Sequence, residues 1–383
     1  MIKIEKKLNK IKIFVIKKKV FDEEIVSFLN ELSKIIIRSK ESRKNNELMA
    51  FGFWCRNTNL QKLKQRYSQK FLENKMGIGL LFHIPPSNVI SNFAYSLLFG
   101  LLSGNTNVVR IPKRSLEFAN ILISFINKKL NRKSNIYKMI NFINYNDEKT
   151  NIDLSKICDG RLIWGSDETI KKFKNLTIKK NCKNIYFSDK YSMSILNSSE
   201  IIKLNVSSLT VLCKNFYNDS YLMDQNACSS PHIIFWKGKK IPLGQKIFWN
   251  KVYEIAKKNY KLDMFAAVDK YTNTLKMSSN KKIKINNYEN ILITIQLNKL
   301  SENLDKFRGR WGLFYEYIIK KNLNLPYSKK YQTLSYYGFN KNELKNLKDR
   351  SKNFSFNRVV PVGKSTEMNL FWDGYNLVSI LSK

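Results

Sequence analysis

The sequence predicts an α/β protein in which a parallel sheet is wrapped by helices. Short apolar runs bounded by glycine or proline, such as GIGLLFHI from residue 77, have the length and composition of buried strands. Segments with apolar residues at helical spacing lie between these runs. The two kinds of segment alternate five times within about 110 residues, an arrangement typical of parallel sheets with crossover helices.

The elements follow in order along the chain. An amphipathic helix is predicted over residues 22–40, capped by Asp22, and a second helical stretch over 47–67. Asn88–Ser103 is predicted as a helix that ends at Gly104. The remaining segments of this half are predicted as strands at TNVVRI, MINFINY, RLIW and NIYF and as helices over 116–130, 151–157 and 166–174.

A second region begins near residue 200, with helical segments over 200–215 and 243–260 and apolar runs at HIIFW and ILITIQL. Residues 265–290 are rich in lysine and asparagine and show no strong periodicity. We expect a segment of helices and a strand over 1–70, a nucleotide-binding domain over 71–205 and a catalytic domain over 206–355. The aromatic tail over 356–383 is expected to return to the first domain.

The charge is strongly positive, with 68 Lys and Arg against 30 Asp and Glu and a formal net charge of +38. The lysines are spread along the whole chain and do not form an aromatic-interleaved motif, so we expect no specific nucleic-acid binding. The longest apolar stretch, 89–102, is interrupted by polar residues and is too short for a membrane span. Five widely spaced cysteines predict neither a disulfide framework nor a zinc site, and we expect a cytoplasmic protein.

Cys228 is the candidate nucleophile, in the segment DQNACSSPH. Small neighbours leave room around its sulfur, and a position near a helix N-terminus would lower the pKa of the thiol. The alternative role is that of a buried structural cysteine. His232 suggests a Cys–His pair of a hydrolase or transferase, but Pro231 lies between the two residues, which favours a strand position for the histidine.

Two other features allow a functional or a structural interpretation. Gly165 and Ser166 lie at a predicted strand-to-helix junction, where they would either approach a phosphate or simply cap the helix. Gly77 and Gly79 lack the third glycine of a dinucleotide fingerprint and indicate tight packing. His83, at the end of a predicted strand, is expected to be structural.

Several longer segments resemble the LuxC-type acyl-CoA reductases, the fatty acid reductase family of bacterial bioluminescence. The longest is HIPPSNVISNFAYSLLFGLLSGNTNVVRIP. The others, in the family's order, are AFGFWCR, RLIWGSDETI, FSDKYSMSI, DQNACSSP, RGRWGLFYEY, QTLSY, RVVPVGK and FWDGYNL. The resemblance covers roughly residues 48–380. This family is in turn similar to the aldehyde dehydrogenase superfamily, which implies a Rossmann-like nucleotide domain, a catalytic domain that carries the cysteine, and a homo-oligomer.

The resemblance also implies roles for particular residues. It places Cys228 at the nucleophile and Gly165 and Ser166 at the turn beside the cofactor pyrophosphate. Arg110 matches a basic residue near the adenosine ribose, where an arginine also suits the 2′-phosphate of NADPH. Asn88 matches, to within about one residue, an asparagine that donates to the oxyanion.

Glu316 lies in the part of the chain where aldehyde dehydrogenases hold the nicotinamide ribose with a glutamate; its alternative role is that of a surface or capping residue. A departure from the wider superfamily concerns deacylation. Oxidising members carry a glutamate in an E-L-G-G motif that activates water, whereas the corresponding stretch here is FSDKYS. Without that base, a thioacyl-cysteine would persist until hydride reaches it.

The resemblance therefore implies NADPH-dependent reduction of an acyl thioester, acyl-CoA or acyl-protein, to a fatty aldehyde through a thioacyl-cysteine. An acyl-protein synthetase is the implied partner, and no metal is required. Two other classes remain open: a cysteine acyltransferase or thioesterase of the same fold, and a basic, non-enzymatic protein that binds nucleic acid or anionic lipid.

Overall fold

The computed structural model describes residues 2–278 and 283–383. It contains two compact units: the chain up to Asp189 together with Met368–Lys383, and Lys190–Glu367. The four-part division expected from the sequence, with its boundaries at 70, 205 and 355, stays a prediction about domains.

The secondary structure is mixed throughout. In chain order, the strands are β1 (Ile4–Glu5), β2 (Leu80–Ile84), β3 (Thr106–Arg110), β4 (Ile140–Ile143), β5 (Gly160–Trp164), β6 (Lys183–Phe187), β7 (Tyr191–Asn197), β8 (Pro231–Lys237), β9 (Ile285–Tyr288), β10 (Leu292–Gln296), β11 (Leu313–Ile318), β12 (Tyr331–Tyr337), β13 (Arg358–Pro361), β14 (Phe371–Trp372) and β15 (Tyr375–Asn376). The helices are α1 (Glu23–Arg38), α2 (Lys40–Arg43), α3 (Asn46–Trp54), α4 (Asn57–Lys64), α5 (Gln69–Asn74), α6 (Asn92–Leu102), α7 (Leu116–Lys129), α8 (Asn135–Lys138), α9 (Glu148–Ile157), α10 (Asp167–Lys174), α11 (Ser198–Ile202), α12 (Val206–Ser220), α13 (Ile241–Asn259), α14 (Met264–Ser278), α15 (Lys341–Arg350) and α16 (Leu377–Ile380).

The first unit is built on a six-stranded sheet with the order β1-β4-β3-β2-β5-β6, and every pairing in it is parallel. From β2 the chain passes through β3 and β4 on one side, and β5 and β6 lie on the other. The point where the order reverses, between β2 and β5, is where sheets of this kind bind ligands. This arrangement confirms the α/β fold with a parallel sheet that the sequence predicts.

A buried polar network fixes the helix α6 against this sheet. His83 on β2 is fully buried; its Nδ1 accepts from the Ser96 hydroxyl at 2.8 Å, and its Nε2 donates to Asn107 Oδ1 at 3.0 Å. Burial lowers the pKa of His83 to about 4, so the imidazole is neutral and structural, as the sequence indicates. At Gly100 on α6, a Cβ would lie 1.8 Å from Asn107 Oδ1, so only glycine permits this close approach.

The C-terminal tail belongs to the same unit. β14 and β15 form an antiparallel pair, and α16 follows directly. Leu377, Val378 and Leu381 are buried in the core that α6 shares. The backbone amide of Met76 donates to the Lys383 carbonyl, and that of Lys383 donates to the Met76 carbonyl. The tail is therefore part of the packed core of this unit.

The second unit is built on a seven-stranded sheet with the order β13-β12-β7-β8-β11-β10-β9. All its pairings are parallel except that of the edge strand β9 with β10. α12 and α13 pack in the apolar core on one face, which contains Trp236, Trp249 and Phe314. A separate core on the other face contains Ile233, Phe235 and Tyr315.

Several helix boundaries differ from the sequence prediction. α6 begins at Asn92 rather than Asn88, because Ser91 is held by Glu47: its amide and hydroxyl donate to Glu47 Oε2 at 3.0 and 2.5 Å. The predicted helix over 47–67 is divided into α3 and α4, and that over 200–215 into α11 and α12. The lysine-rich segment 265–290 contains α14 and β9, while its residues 279–282 lie outside the described residues.

In the described part of the chain, no helix combines the length and apolar character needed to cross a bilayer.

Candidate active site

Cys228 lies in a turn immediately before the central strand β8. Cys228 is partly exposed, in contrast to the buried Cys55, Cys158 and Cys213. A short 3-10 helix, Tyr221–Met223, ends before this turn and Pro231 opens the strand after it. The sequence predicts a position near a helix N-terminus for Cys228, and this prediction is wrong. Activation of the thiol by the start of a helix therefore does not apply.

The backbone of the Cys228 turn is fastened to the neighbouring strands. The Ser192 hydroxyl, on β7, donates to the Cys228 carbonyl at 2.7 Å. The Ser192 hydroxyl oxygen in turn accepts from the backbone amide of Thr333, on β12, at 3.1 Å. Ser192 is fully buried. One hydroxyl thus links three adjacent segments of the sheet and holds the backbone of the candidate nucleophile.

Gln225 provides a second attachment. Its Nε2 donates to the Leu313 carbonyl at 3.1 Å and the Pro231 carbonyl at 3.3 Å, and its Oε1 accepts from the Gly312 amide at 2.8 Å. Asp224 and Gln225 both have positive φ, 53° and 56°, a conformation that this bonding must stabilise. No local sequence pattern indicates this role of Gln225, and only its long-range bonds reveal it.

His232 does not act on Cys228 through a hydrogen bond. Its Nδ1 donates to the Gly309 carbonyl at 3.1 Å, and its ring stacks on Tyr191 with centroids 5.0 Å apart. Its Nε2 is buried with no hydrogen-bonding partner among the described residues. Burial, reinforced by Arg308 and Arg310, lowers the pKa of His232 to about 3. The ring is neutral and serves as a strand residue, which agrees with the interpretation that Pro231 favoured.

Glu316 lies on β11 and is 1% exposed, so it is not a surface residue. Its Oε1 accepts three hydrogen bonds, from Trp236 Nε1 at 2.6 Å, Trp249 Nε1 at 2.7 Å and Gln245 Nε2 at 2.8 Å. The indoles belong to β8 and α13, so this oxygen ties the sheet to the helix that covers it. Whether Glu316 also contacts a ribose stays a prediction.

The RVVPVGK segment is held by another carboxylate that the sequence did not reveal. Asp219, at the end of α12, is fully buried and accepts from the Gly363 amide at 2.6 Å and the Ser365 amide at 3.1 Å. Burial raises the pKa of Asp219 to about 6, against the opposing effect of these donors. A motif recognised in the sequence is thus anchored by a residue more than a hundred positions away.

In the first unit, the predicted cofactor residues Arg110, Gly165 and Ser166 and the predicted oxyanion donor Asn88 lie at one edge of the sheet. Arg110 is the last residue of β3, Gly165 and Ser166 directly follow β5, and Asn88 is in the exposed loop after β2. Because β3, β2 and β5 are adjacent and parallel, their carboxyl ends bring these residues to the same side of the sheet. Ser166 also caps α10, accepting from the Thr169 amide at 3.3 Å, and the Arg110 guanidinium lies 5.2 Å from the centre of the Tyr145 ring.

Among residues 2–278 and 283–383, no three His, Cys, Asp or Glu side chains are placed to hold a metal ion.

Solved structures define the class of the fold. A mutant of 1-pyrroline-5-carboxylate dehydrogenase from Thermus thermophilus is 10% identical, with a TM-score of 0.62 over 94% of this chain and 80% of that one. A structure of the Thermus enzyme with bound NAD gives 10% identity and a TM-score of 0.60 over the same shares. A mutant of proline utilization A from Bradyrhizobium japonicum gives 11% identity and a TM-score of 0.62 over 94% of this chain but 42% of that one. The chain thus has the aldehyde dehydrogenase fold.

A match to a family model defines a narrower group than the fold does. The LuxC acyl-CoA reductase profile matches residues 12–281, well over half of the sequence. The chain belongs to the LuxC acyl-CoA reductase family. No curated protein sequence matches the chain.

Proposed function

We propose that the chain is an NADPH-dependent reductase of fatty acyl thioesters that works through a thioacyl intermediate on Cys228. The observation that carries the proposal is the way in which the turn with Cys228 is held in this member of the acyl-CoA reductase family. Cys228, a partly exposed residue, stands on a backbone held by Ser192 and Gln225, at the start of a buried central strand. A nucleophile requires a fixed backbone at a position that is not closed off in the core.

The cofactor assignment rests on the first unit. The place proposed for the dinucleotide phosphate is the start of α10, where Gly165 carries no side chain and backbone amides attract a pyrophosphate, against the opposing charges of Asp167 and Glu168 in the same turn. Arg110 would supply the positive charge for the 2′-phosphate that distinguishes NADPH. The structural neighbour from Thermus binds NAD, which supports a nicotinamide cofactor in this fold. When bound, NADPH supplies the hydride that reduces the acyl carbon.

The chemistry at Cys228 is proposed as follows. The thiolate attacks the thioester carbonyl, the new C–S bond forms, and the carrier thiolate leaves and takes up a proton. After the acyl carbon is reduced, the C–S bond to Cys228 breaks, the thiolate is restored and the aldehyde departs. The stretch FSDKYS contains no glutamate to activate water, which favours reduction over hydrolysis of the thioacyl group.

Two residues have proposed roles that rest on the family resemblance. Asn88, in the loop after β2, is assigned as an amide donor to the oxyanion. Glu316 is assigned to the nicotinamide ribose on the same ground, and the three hydrogen bonds that its Oε1 accepts would fix its carboxylate in place.

The acyl donor is proposed to be acyl-CoA or an acylated protein supplied by an acyl-protein synthetase, with the reductase acting in the cytoplasm as a homo-oligomer.

The proposal is tested by NADPH oxidation with myristoyl-CoA, with the aldehyde identified by trapping with a hydrazine. We expect turnover by the wild type, and none by Cys228→Ala or Cys228→Ser, because neither side chain supplies a thiolate. Cys182→Ala is the matched control, since Cys182 is the other partly exposed cysteine among the described residues. It should retain wild-type turnover.

Either of two results would overturn parts of the proposal. Wild-type rates in Cys228→Ala would remove the nucleophile assignment. Acylation of Cys228, detected by intact mass, without any NADPH oxidation would leave the acyltransferase alternative as the function.

A further inference from the structure

A cavity of about 440 Å³ lies at the carboxyl ends of the strands in the second unit. It is lined by the last residues of β7 and β8, Asn197 and Lys237, and by residues that follow β11 and β12, including Lys321 and Phe339. From β7 the sheet continues through β8 in one direction and through β12 in the other. The cavity therefore lies at a reversal of strand order, where open α/β sheets commonly bind ligands.

Four cationic side chains line this cavity: Lys237, Lys239, Lys321 and Arg350. None of them forms an ion pair with any carboxylate that the structure describes. The two lining carboxylates are engaged elsewhere. Glu200 pairs with Lys203 at 2.7 Å, and Glu343 Oε2 accepts from the Asn340 amide at 2.7 Å at the start of α15. With four cationic and two anionic side chains, the lining carries two more positive than negative charges, an excess that an anion would neutralise.

Lys237 and Lys239, which flank Gly238, are held by a fixed turn. The Ser198 hydroxyl bonds to the carbonyls of Lys237 at 3.1 Å and Lys239 at 2.7 Å, and the Lys239 amide donates to Ser199 Oγ at 2.7 Å. Gly238, between the lysines, has φ of +111°, and a Cβ there would lie 2.6 Å from Asn197 Oδ1. A turn that is already rigid loses little entropy when a ligand binds.

Ser351, which also lines the cavity, offers a hydrogen bond. The Ser351 hydroxyl oxygen is buried without a partner among the described residues, although buried hydroxyls are normally bonded. The volume of the cavity lies within the range of small-molecule sites.

We propose that this cavity binds a small anion that carries a phosphate or diphosphate group. Arg350 matches the geometry of phosphate oxygens, while Lys237, Lys239 and Lys321 act as point charges around them. The site is separate from the candidate active site, because Cys228 precedes the amino end of β8 and the cavity lies at the carboxyl end of that strand. The proposal does not depend on the reductase activity.

Calorimetric titration of the full chain with inorganic pyrophosphate, in chloride buffer of constant ionic strength, tests the site. We expect the wild type to bind pyrophosphate in this cavity in addition to any binding at the start of α10, and the cavity component to lose at least about tenfold in affinity in Lys237→Gln/Arg350→Gln, because two charge-assisted contacts are removed. Lys214→Gln/Lys246→Gln is the matched control: it removes the same charge from exposed residues of α12 and α13 in the same unit. Its affinity should stay within about twofold of the wild type.

Equal losses in the two double variants would show that pyrophosphate responds only to the overall charge, and would overturn the proposal. Unchanged affinity in the cavity variant would overturn it as well. Lys321→Gln, an exposed loop position, provides a second test if the double variant does not fold, and should itself weaken binding several-fold. Reductase activity is measured separately, so failure of one proposal leaves the other intact.

Discussion

Gln225 connects the turn that carries Cys228 to the segment before β11. Replacing it with alanine leaves the Gly312 amide and the Leu313 and Pro231 carbonyls without their partner in a buried place. Each such loss costs about 1–3 kcal/mol, and the positive φ of residues 224 and 225 loses its support. We expect Gln225→Ala to lower kcat for acyl-CoA reduction by about tenfold or more, with a smaller change in KM.

The readout that separates positioning from general destabilisation is the alkylation rate of Cys228 with iodoacetamide, followed by mass spectrometry at a temperature where the variant is folded. Gln225→Ala should change this rate, whereas the exposed substitution Gln61→Ala should not. Wild-type kcat and alkylation in Gln225→Ala would show that the turn keeps its geometry without this side chain.

The functional residues differ in how far the sequence could identify them. Cys228, Gly165 and Ser166 belong to contiguous motifs, so local composition and family resemblance were sufficient to select them. The bonds of Gln225 to Gly312 and of Glu316 to Trp236 span 87 and 80 positions. Nothing in the local sequence specifies such pairings, because they follow only from strand order in the folded sheet.

At the scale of elements, the parallel sheet of the first unit was predictable because its strands are buried on both faces and read as continuous apolar runs. α14 was not predicted, because its sequence lacks the usual pattern of buried apolar residues. Its large apolar residues face solvent, with exposures of 84% for Met264, 78% for Phe265 and 62% for Val268. Its buried positions are instead Ala266, Lys270 and Thr274. A helix that exposes its large apolar residues and buries polar ones does not show the usual pattern of an amphipathic helix.

Lys270 anchors α14, since its ammonium donates to the Ile291 carbonyl at 3.1 Å and the Trp311 carbonyl at 2.7 Å. Burial lowers the pKa of Lys270 from 10.5 to about 7. Between these two values the unfolded chain binds the proton and the folded chain does not, so this group makes the free energy of unfolding rise as pH increases above about 7.

We expect the difference in unfolding free energy between wild type and Lys270→Met to grow by roughly 1 kcal/mol per pH unit from pH 7 to 9. Urea denaturation at several pH values measures it. The difference between the two proteins is needed because buried thiols oppose the trend: burial raises the pKa of Cys55 and of Cys213. A difference that does not change with pH would mean that Lys270 stays protonated when folded.

At the scale of the whole molecule, the net charge of +38 is the dominant electrostatic feature. Many described ion pairs are at exposed side chains, such as Lys172 with Glu148 and Lys257 with Glu289. Exposed pairs of this kind contribute at most about 1 kcal/mol each. Repulsion among the many lysines without a carboxylate partner acts over longer distances and opposes compaction.

Salt should therefore stabilise this protein, since screening weakens the repulsion more than it weakens the exposed pairs. Between about 20 and 300 mM sodium chloride, over which the Debye length falls from about 20 to about 6 Å, we expect the thermal midpoint to rise by several degrees. Chloride is the appropriate anion, because phosphate would also stabilise the chain through the proposed cavity. Lys214→Glu/Lys246→Glu, which lowers the net charge at exposed positions, should show a smaller rise. A midpoint that falls with salt would mean that the exposed ion pairs outweigh the repulsion, and a midpoint that does not move would mean that the two effects cancel.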